Sequence, residues 1–422
     1  MERATILLAA VPGEAHRRPL ILAIFALTYV GLAMGHVPGL KLNRVGIVLL
    51  GAIGMMLFGG VTTAEAVSFV NWPTILLLFG FFVISAQLQL SGFYNLVANA
   101  IAAGLGHPAK FLAVLMAATG GLSAFLNHDI VCFVFTPVAA TALLRKGLNP
   151  VPFLIGLAIA SNIGAAATVI GNPQDMLIAE VAQLGFGQYL AWSFVPTVFA
   201  LAAAYGIIWM LSRHSLRAPD PDGSAPPADS SFNRPHTIKG LVILVVAVGL
   251  LFTSLPKEII ALAAAGIHLA SPKFRTEDLL GLVDWSILVL FMGLFVVTGA
   301  LQATGYGDAA VQKLAHDGFN VQEPHNLMLA AAGLSNVINN SAAVMLLLKV
   351  VHISQPVTAY VLALANSFGG SFILVGSLSN IIVVQQARQA GVAISFRDFA
   401  RLGIPVTLAA FAGLVCWLAL AG

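Results

Sequence analysis

The chain has 422 residues, 59% of them apolar and 9% charged, whereas an average soluble domain carries about 25% charged and roughly 45–50% apolar residues. With a mean hydropathy of +0.93, its 20 Lys+Arg and 17 Asp+Glu cannot coat a water-soluble surface, and a scattered net charge of +3 gives no footprint for nucleic acid. Two cysteines, Cys132 and Cys416, make neither a disulfide framework nor a zinc pattern, and neither a metal nor a cofactor is expected.

Met1–Gly13 lacks a strong basic segment and a small-residue cleavage site, so no cleaved signal is expected. Apolar stretches fit for spanning follow at 20–37, 45–60 and 73–90, and 93–105 reads as interfacial. The apolar stretch 110–145 holds Asn127-His128-Asp129 at its middle and reads as a re-entrant hairpin. Irregular backbone at membrane depth survives only where protein or a wet cavity satisfies it. The stretch 152–183 is interrupted over Thr168–Asp175, where Pro173 removes a backbone donor and Gly171 permits an unwound chain. A span at 188–211 closes the first half.

Ser212–Lys239 contains Pro219, Pro221, Pro226, Pro227 and Pro235 among Asp and Ser. It cannot bury apolar surface and reads as a water-exposed linker over 212–239. Beyond it lie spans at 238–253, 257–271 and 284–303, an interfacial stretch at 306–317, and a hairpin over 326–350 with Asn339-Asn340-Ser341 at its middle. A stretch at 356–386, broken near Gly376, and a last span at 399–420 complete about ten crossings.

The two halves, 1–211 and 240–422, match each other. Trp72/Trp285, Gly80/Gly293, Gln89/Gln302 and Gly92/Gly305 are each 213 residues apart, Gly121–Asn127 matches Gly333–Asn339 at 212, and Leu157–Gly171 matches Leu362–Gly376 at 205. An odd number of crossings per half inverts the second repeat relative to the first. Lys and Arg are then in excess on the inner side if the linker is cytoplasmic and both termini are periplasmic, although Arg17-Arg18 counts against this. The expected location is the inner membrane.

Inverted repeats with interrupted helices are the architecture of secondary transporters, with the site at the repeat interface. The expected fold is therefore an all-α polytopic membrane protein of inverted repeats, with two re-entrant hairpins and two broken helices. Asn127 and Asn339 hold equivalent tips, and each offers both donors and acceptors. His128 and Asp129 stand beside the first tip, Asn340 and Ser341 beside the second. Asp129 and Asp175 are acids at core positions, and an acid inside a membrane is a functional candidate by default. With His128, a side chain able to carry a proton, they suit proton or cation coupling.

Plainer roles stay open. Asp129 also suits a helix N-terminus, His128 a packed core position, Asp175 the far interface, and Cys132 the core. The Asn339-Asn340-Ser341 glycosylation pattern is discarded, because a buried tip is no acceptor. There is no His-Glu-x-x-His, no Gly-x-Ser-x-Gly and no Gly-x-x-x-x-Gly-Lys, so neither an enzyme nor a chain with its own ATPase is expected. An ATPase partner remains open. No deep Arg or Lys presents itself, which favours a neutral or weakly ionised substrate, with helix N-termini left as the alternative for an anion.

The hairpin tips, the stretch Ser161–Pro173 (Ser-Asn-Ile-Gly-Ala-Ala-Ala-Thr-Val-Ile-Gly-Asn-Pro) and the stretch Val375–Asn380 (Val-Gly-Ser-Leu-Ser-Asn) resemble the ion transporter superfamily. Within it, Phe125–Asp129 and Val337–Asn340 look closest to the arsenite/antimonite permease branch, from which His128 departs by standing between Asn and Asp. The divalent-anion symporters instead carry Ser-Asn-Thr at both tips, and this chain has neither copy. The resemblance implies that Asn127, Asp129, Asn339, Asn340, Gly171, Asn172, Gly376 and Ser377 line the substrate and coupling sites, and that two protomers assemble with a static scaffold and a moving unit. The expectation is proton-coupled efflux of arsenite or antimonite. The alternative is a sodium- or proton-coupled permease for an inorganic oxyanion or small carboxylate.

Overall fold

The computed structural model describes residues 14–35, 39–103, 107–213, 232–270, 273–353 and 355–421. Twenty α-helices run along them. The first ten are α1 (Glu14–Met34), α2 (Arg44–Leu57), α3 (Thr63–Phe69), α4 (Trp72–Leu90), α5 (Phe93–Ala103), α6 (Pro108–Ser123), α7 (His128–Arg145), α8 (Val151–Ala165), α9 (Pro173–Val181) and α10 (Phe186–Ser212). The same series follows as α11 (Arg234–Leu250), α12 (Lys257–Leu269), α13 (Thr276–Gly281), α14 (Trp285–Gln302), α15 (Tyr306–His316), α16 (Pro324–Ile338), α17 (Asn340–Val350), α18 (Pro356–Gly369), α19 (Leu378–Gln389) and α20 (Phe396–Ala421).

Matched residues sit at matched joints. Asn71 and Asp284 cap α4 and α14, each side chain accepting a backbone N–H three residues on. Gly92 and Gly305 make the turns out of those helices with φ of +79° and +77°, a left-handed backbone that glycine adopts without strain. The fold is thus an all-α, inverted-repeat one with two hairpins (α6–α7 and α16–α17) and two interrupted helices (α8–α9 and α18–α19).

Six helices (α1 from Arg17, α4, α7, α10, α14 and α20) are long and apolar enough to cross a bilayer. α4 and α14 form the inner layer, with 72% of their apolar stretch buried in each, against 28% in α10 and 22% in α20. Large apolar side chains such as Leu27, Phe194, Phe199, Val245 and Leu408 stay exposed on the outer helices, as a lipid-facing surface requires.

The repeats are interlocked. α4 packs on α12 of the other repeat through Gly80, where a Cβ would lie 2.6 Å from the Ala261 carbonyl carbon. α14 packs on α2 through Gly293, where a Cβ would lie 2.7 Å from Val48 Cγ1. Each broken helix lies against its own hairpin by the same device: Gly164 meets the Gly120 backbone, and a Cβ on Gly369 would lie 2.8 Å from Ala332 Cα.

Two details differ from the sequence reading. The linker expected over 212–239 is trimmed at both ends: Ser212 closes α10, and α11 starts at Arg234. The Asn233 side chain caps α11, and Pro235 falls in its first turn, where a missing N–H is harmless. Residues 214–231 lie outside the described residues, as do Met1–Gly13 and Gly422. The interruptions also resume as helix earlier than expected, at Pro173 and Leu378, leaving 166–172 and 370–377 as the breaks, the second containing a 3₁₀ turn over Leu374–Gly376.

Candidate functional site

Four helices begin at the centre of the protein: α7 and α17, the return arms of the hairpins, and α9 and α19, the distal arms of the broken helices. Each has a polar residue at its N-cap because the chain must satisfy the first free N–H groups there. Asn127 Oδ1 accepts from Asp129 N at 2.9 Å, Asn339 Oδ1 from Ser341 N at 2.6 Å, and Asn172 Oδ1 from Asp175 N at 2.7 Å. Ser377, the N-cap of α19, makes no such bond; its Oγ donates to Asn162 Oδ1 at 2.8 Å, and α19 starts without a side-chain cap.

The pairing crosses between repeats. Ser379 Oγ donates to Asp129 Oδ1 at 2.6 Å, which joins the first tip to the second break. Gln174 Nε2 donates to Ser341 Oγ at 2.9 Å, which joins the first break to the second tip. These two bonds are repeat-equivalents, since Asp129 and Ser341 are 212 apart and Gln174 and Ser379 are 205 apart. A second equivalent pair accompanies them: Ser377 Oγ donates to Asn162 Oδ1 at 2.8 Å, and Asn172 Nδ2 to Ser367 Oγ at 3.1 Å. Asn162 Nδ2 also donates to Asn380 Oδ1 at 2.8 Å, and Asn172 Nδ2 to Asp175 Oδ2 at 2.6 Å. Asn380 Nδ2 then satisfies the Gly370 carbonyl at 2.8 Å.

Two centres result, each with one buried carboxylate, and both acids come from the first repeat. The Asp129 centre holds Ser377, Ser379, Asn162 and Asn380; the Asp175 centre holds Asn172, Gln174, Ser341 and Ser367. His128 Nε2 stands 3.6 Å from Asp129 Oδ1, beyond hydrogen-bond range, and Ser161 Oγ donates to the His128 carbonyl at 3.2 Å. Asn127 and Asn339 cap their own helices, and no hydrogen bond joins one tip to the other. Asn339 holds the tip at φ +85°, ψ +155°, a conformation adopted freely by glycine alone, which costs about 1–3 kcal/mol in an asparagine. Cys132 is buried in the core behind Asp129.

Gly171 and Gly376 act through close approach rather than backbone freedom. A Cβ on Gly171 would overlap the Ala165 carbonyl across the break, and one on Gly376 would overlap Asn336 Oδ1. Asn340 is drawn in the same way: its Nδ2 would lie 2.9 Å from a Cβ on Gly370. Asn127, Gly171 and Asn172 line one narrow cleft with Phe81, Phe82 and Phe125, which leaves about 10 Å³ for water, roughly one molecule.

Unmet hydrogen-bonding capacity gathers around the second hairpin and the second broken helix. Asn336 Oδ1, Asn340 Oδ1 and both polar atoms of the Asn366 side chain are buried without a partner, as are Asp175 Oδ1 and His128 Nδ1 in the first repeat. No Lys or Arg takes part in either network among the described residues. Asn162, Ser367, Ser379, Asn380 and Gln174 were not singled out from the sequence. For Asn162 and Ser367 the signal was a polar residue at the same register in both matched blocks, and Gln174 and Ser379 keep that offset of 205 just beyond the blocks.

Paired hairpins and broken helices meeting across inverted repeats define a secondary transporter. The chain belongs to the citrate transporter family, whose sequence profile matches residues 20–361, a range that includes both hairpins and the first broken helix. It is 29% identical over 364 residues to the uncharacterized transporter Rv2685 of Mycobacterium tuberculosis, covering 80% of this chain and 83% of that one. The putative transporter arsB of Dictyostelium discoideum matches at 28% identity over 178 residues, 42% of this chain and 31% of that protein. The YdaH transporter of Alcanivorax borkumensis, a crystal structure, has the same fold at a TM-score of 0.58 and 15% identity, covering 96% of this chain and 97% of that one.

Proposed function

We propose that this protein is a proton-coupled secondary transporter of a small oxygen-rich anion, a carboxylate before an inorganic oxyanion. The observation that carries this reading is the convergence of four helix N-termini on two polar centres, with α19 left uncapped. Helix N-termini present N–H groups and the positive end of the dipole, and so hold an anion without a cationic side chain. The family's citrate transporters point to the same substrate class. Asp129 and Asp175 are the proton carriers in this reading, one in each centre. A buried carboxylate without a cationic partner is costly until a proton or cation joins it.

Export of arsenite or antimonite hydroxide is the second reading. Amide and hydroxyl groups without a cation suit an undissociated hydroxide, and the partial likeness to the putative transporter arsB favours it. In both readings the chain acts in a membrane on a small solute, and a homodimer is the expected assembly. A substrate panel in proteoliposomes separates the two. Under an imposed pH gradient, saturable uptake of citrate or another di- or tricarboxylate is expected, with little response to a sodium gradient. Arsenite movement with no response to any carboxylate or oxyanion would replace the first reading by the second.

A further inference from the structure

One cavity lies away from the two centres, where α7 and α19 run outward side by side from the Asp129–Ser379 contact. It holds about 710 Å³ and is lined on its polar side by Gln89, Asn95, Asn99, Arg145, Gln386 and Gln389, with no acidic residue in its wall. Val134 and Gln386 place its floor about 8–10 Å along the helices from Asp129 and Ser379, and Arg145 stands at its mouth about 24 Å from Asp129, at 1.5 Å per residue. Several amides and one guanidinium suit a carboxylate and offer nothing to a cation.

A second cavity, of about 280 Å³, is related to it by the repeat. Phe133 and Met345, and Pro137 and Lys349, are lining positions 212 apart, and Val181 and Gln386 are 205 apart. Inversion of the repeats places the two cavities on opposite faces. The lining residues have diverged, yet each wall holds one cation, at positions the repeat does not relate, Arg145 in the larger cavity and Lys349 in the smaller, and no acid. The centres between them carry acids and no cation.

We propose that the two cavities are recruitment vestibules for the anionic substrate, with Arg145 and Lys349 attracting it on opposite faces before it passes to the helix N-termini. This rests on the anion reading above. The cations sit where the substrate enters and are absent from where it must be released from, which raises its local concentration without trapping it at the centre.

The test is citrate transport in proteoliposomes of known orientation, with initial rates taken separately from each face. Arg145→Gln is expected to lower kcat/KM about tenfold from either face, because detailed balance ties the two directions of a carrier, and to abolish the slowing caused by impermeant salt added on the face of the larger vestibule alone. Lys349→Gln is expected to do the same for salt added on the other face. Arg145→Lys retains most of kcat/KM and the salt response. A merely structural role would lower kcat/KM and leave the salt response of both faces in place. No fall in kcat/KM in either variant, or loss of the salt response on the same face in both, overturns the proposal while leaving the anion reading intact. A wild-type protein that moves neither citrate nor any other member of the anion panel overturns both.

Discussion

Asp129→Asn is expected to reduce gradient-driven uptake by about two orders of magnitude while leaving the protein folded. The substitution keeps the shape of the side chain, and Ser379 Oγ can still donate to the remaining oxygen, which it now reaches at 2.6 Å. What is lost is the capacity to take up and release a proton, together with the charge-assisted part of that bond, about 1 kcal/mol. Substrate exchange without a gradient should therefore persist, and the dependence of uptake on external pH should flatten. Proteoliposome assays in both modes measure this. Gradient-driven uptake equal to wild type would take Asp129 out of the coupling role and leave Asp175 to carry it.

A methyl group at position 171 should be nearly as damaging for a different reason. In Gly171→Ala the new Cβ would occupy the space of the Ala165 carbonyl, at the end of α8. Neither the helix end nor the Asn172 cap can yield without disturbing the bonds from Asn172 to Asp175 and Ser367. The expected loss is about 1–3 kcal/mol of stability and at least about a tenfold fall in transport. Gly121→Ala is the control: it lies within α6 with nothing within 4 Å of an added Cβ, and should be neutral or stabilising by about 0.5–1 kcal/mol. Thermal unfolding in detergent and reconstituted transport distinguish the two. Equal behaviour of the variants would mean that the break is not held by that contact.

Particular residues show how far the sequence reaches. Gly92 and Gly305 match in the sequence and make the same left-handed turn, and Gly80 and Gly293 match and seat the same kind of interhelical crossing, because a repeated fold repeats its steric demands. The all-helical inverted-repeat fold was legible from such pairs. The cross-repeat bonds were not. Ser379 and Gln174 stand in short polar clusters, Ser377-Leu378-Ser379-Asn380 and Asn172-Pro173-Gln174-Asp175, and what each touches depends on how one repeat docks on the other, which no local pattern encodes. The effect of Gly171 was likewise hidden: the backbone freedom of glycine is a property of the residue, whereas its closeness to Ala165 is a property of the packed break. Arg145 is the last residue of the stretch 110–145 and ends α7, where a positive charge favours the helix C-terminus; that it faces a cavity lined by three other helices follows only from the packed fold. The short α3 was missed although Thr62 and Glu65 form a capping box that could have marked its start.

The most direct test of the central account is cross-linking between the repeats. In a chain with Cys132 and Cys416 replaced, cysteines substituted for Gln174 and Ser341 should be joined in high yield by a short bis-methanethiosulfonate reagent. Cysteines substituted for Asp129 and Ser379 should be joined likewise, whereas the mismatched pair Gln174 and Ser379 should not. Cross-linking of the mismatched pair, with none across the matched ones, would contradict the exchange of hairpin tips and helix breaks between oppositely oriented halves.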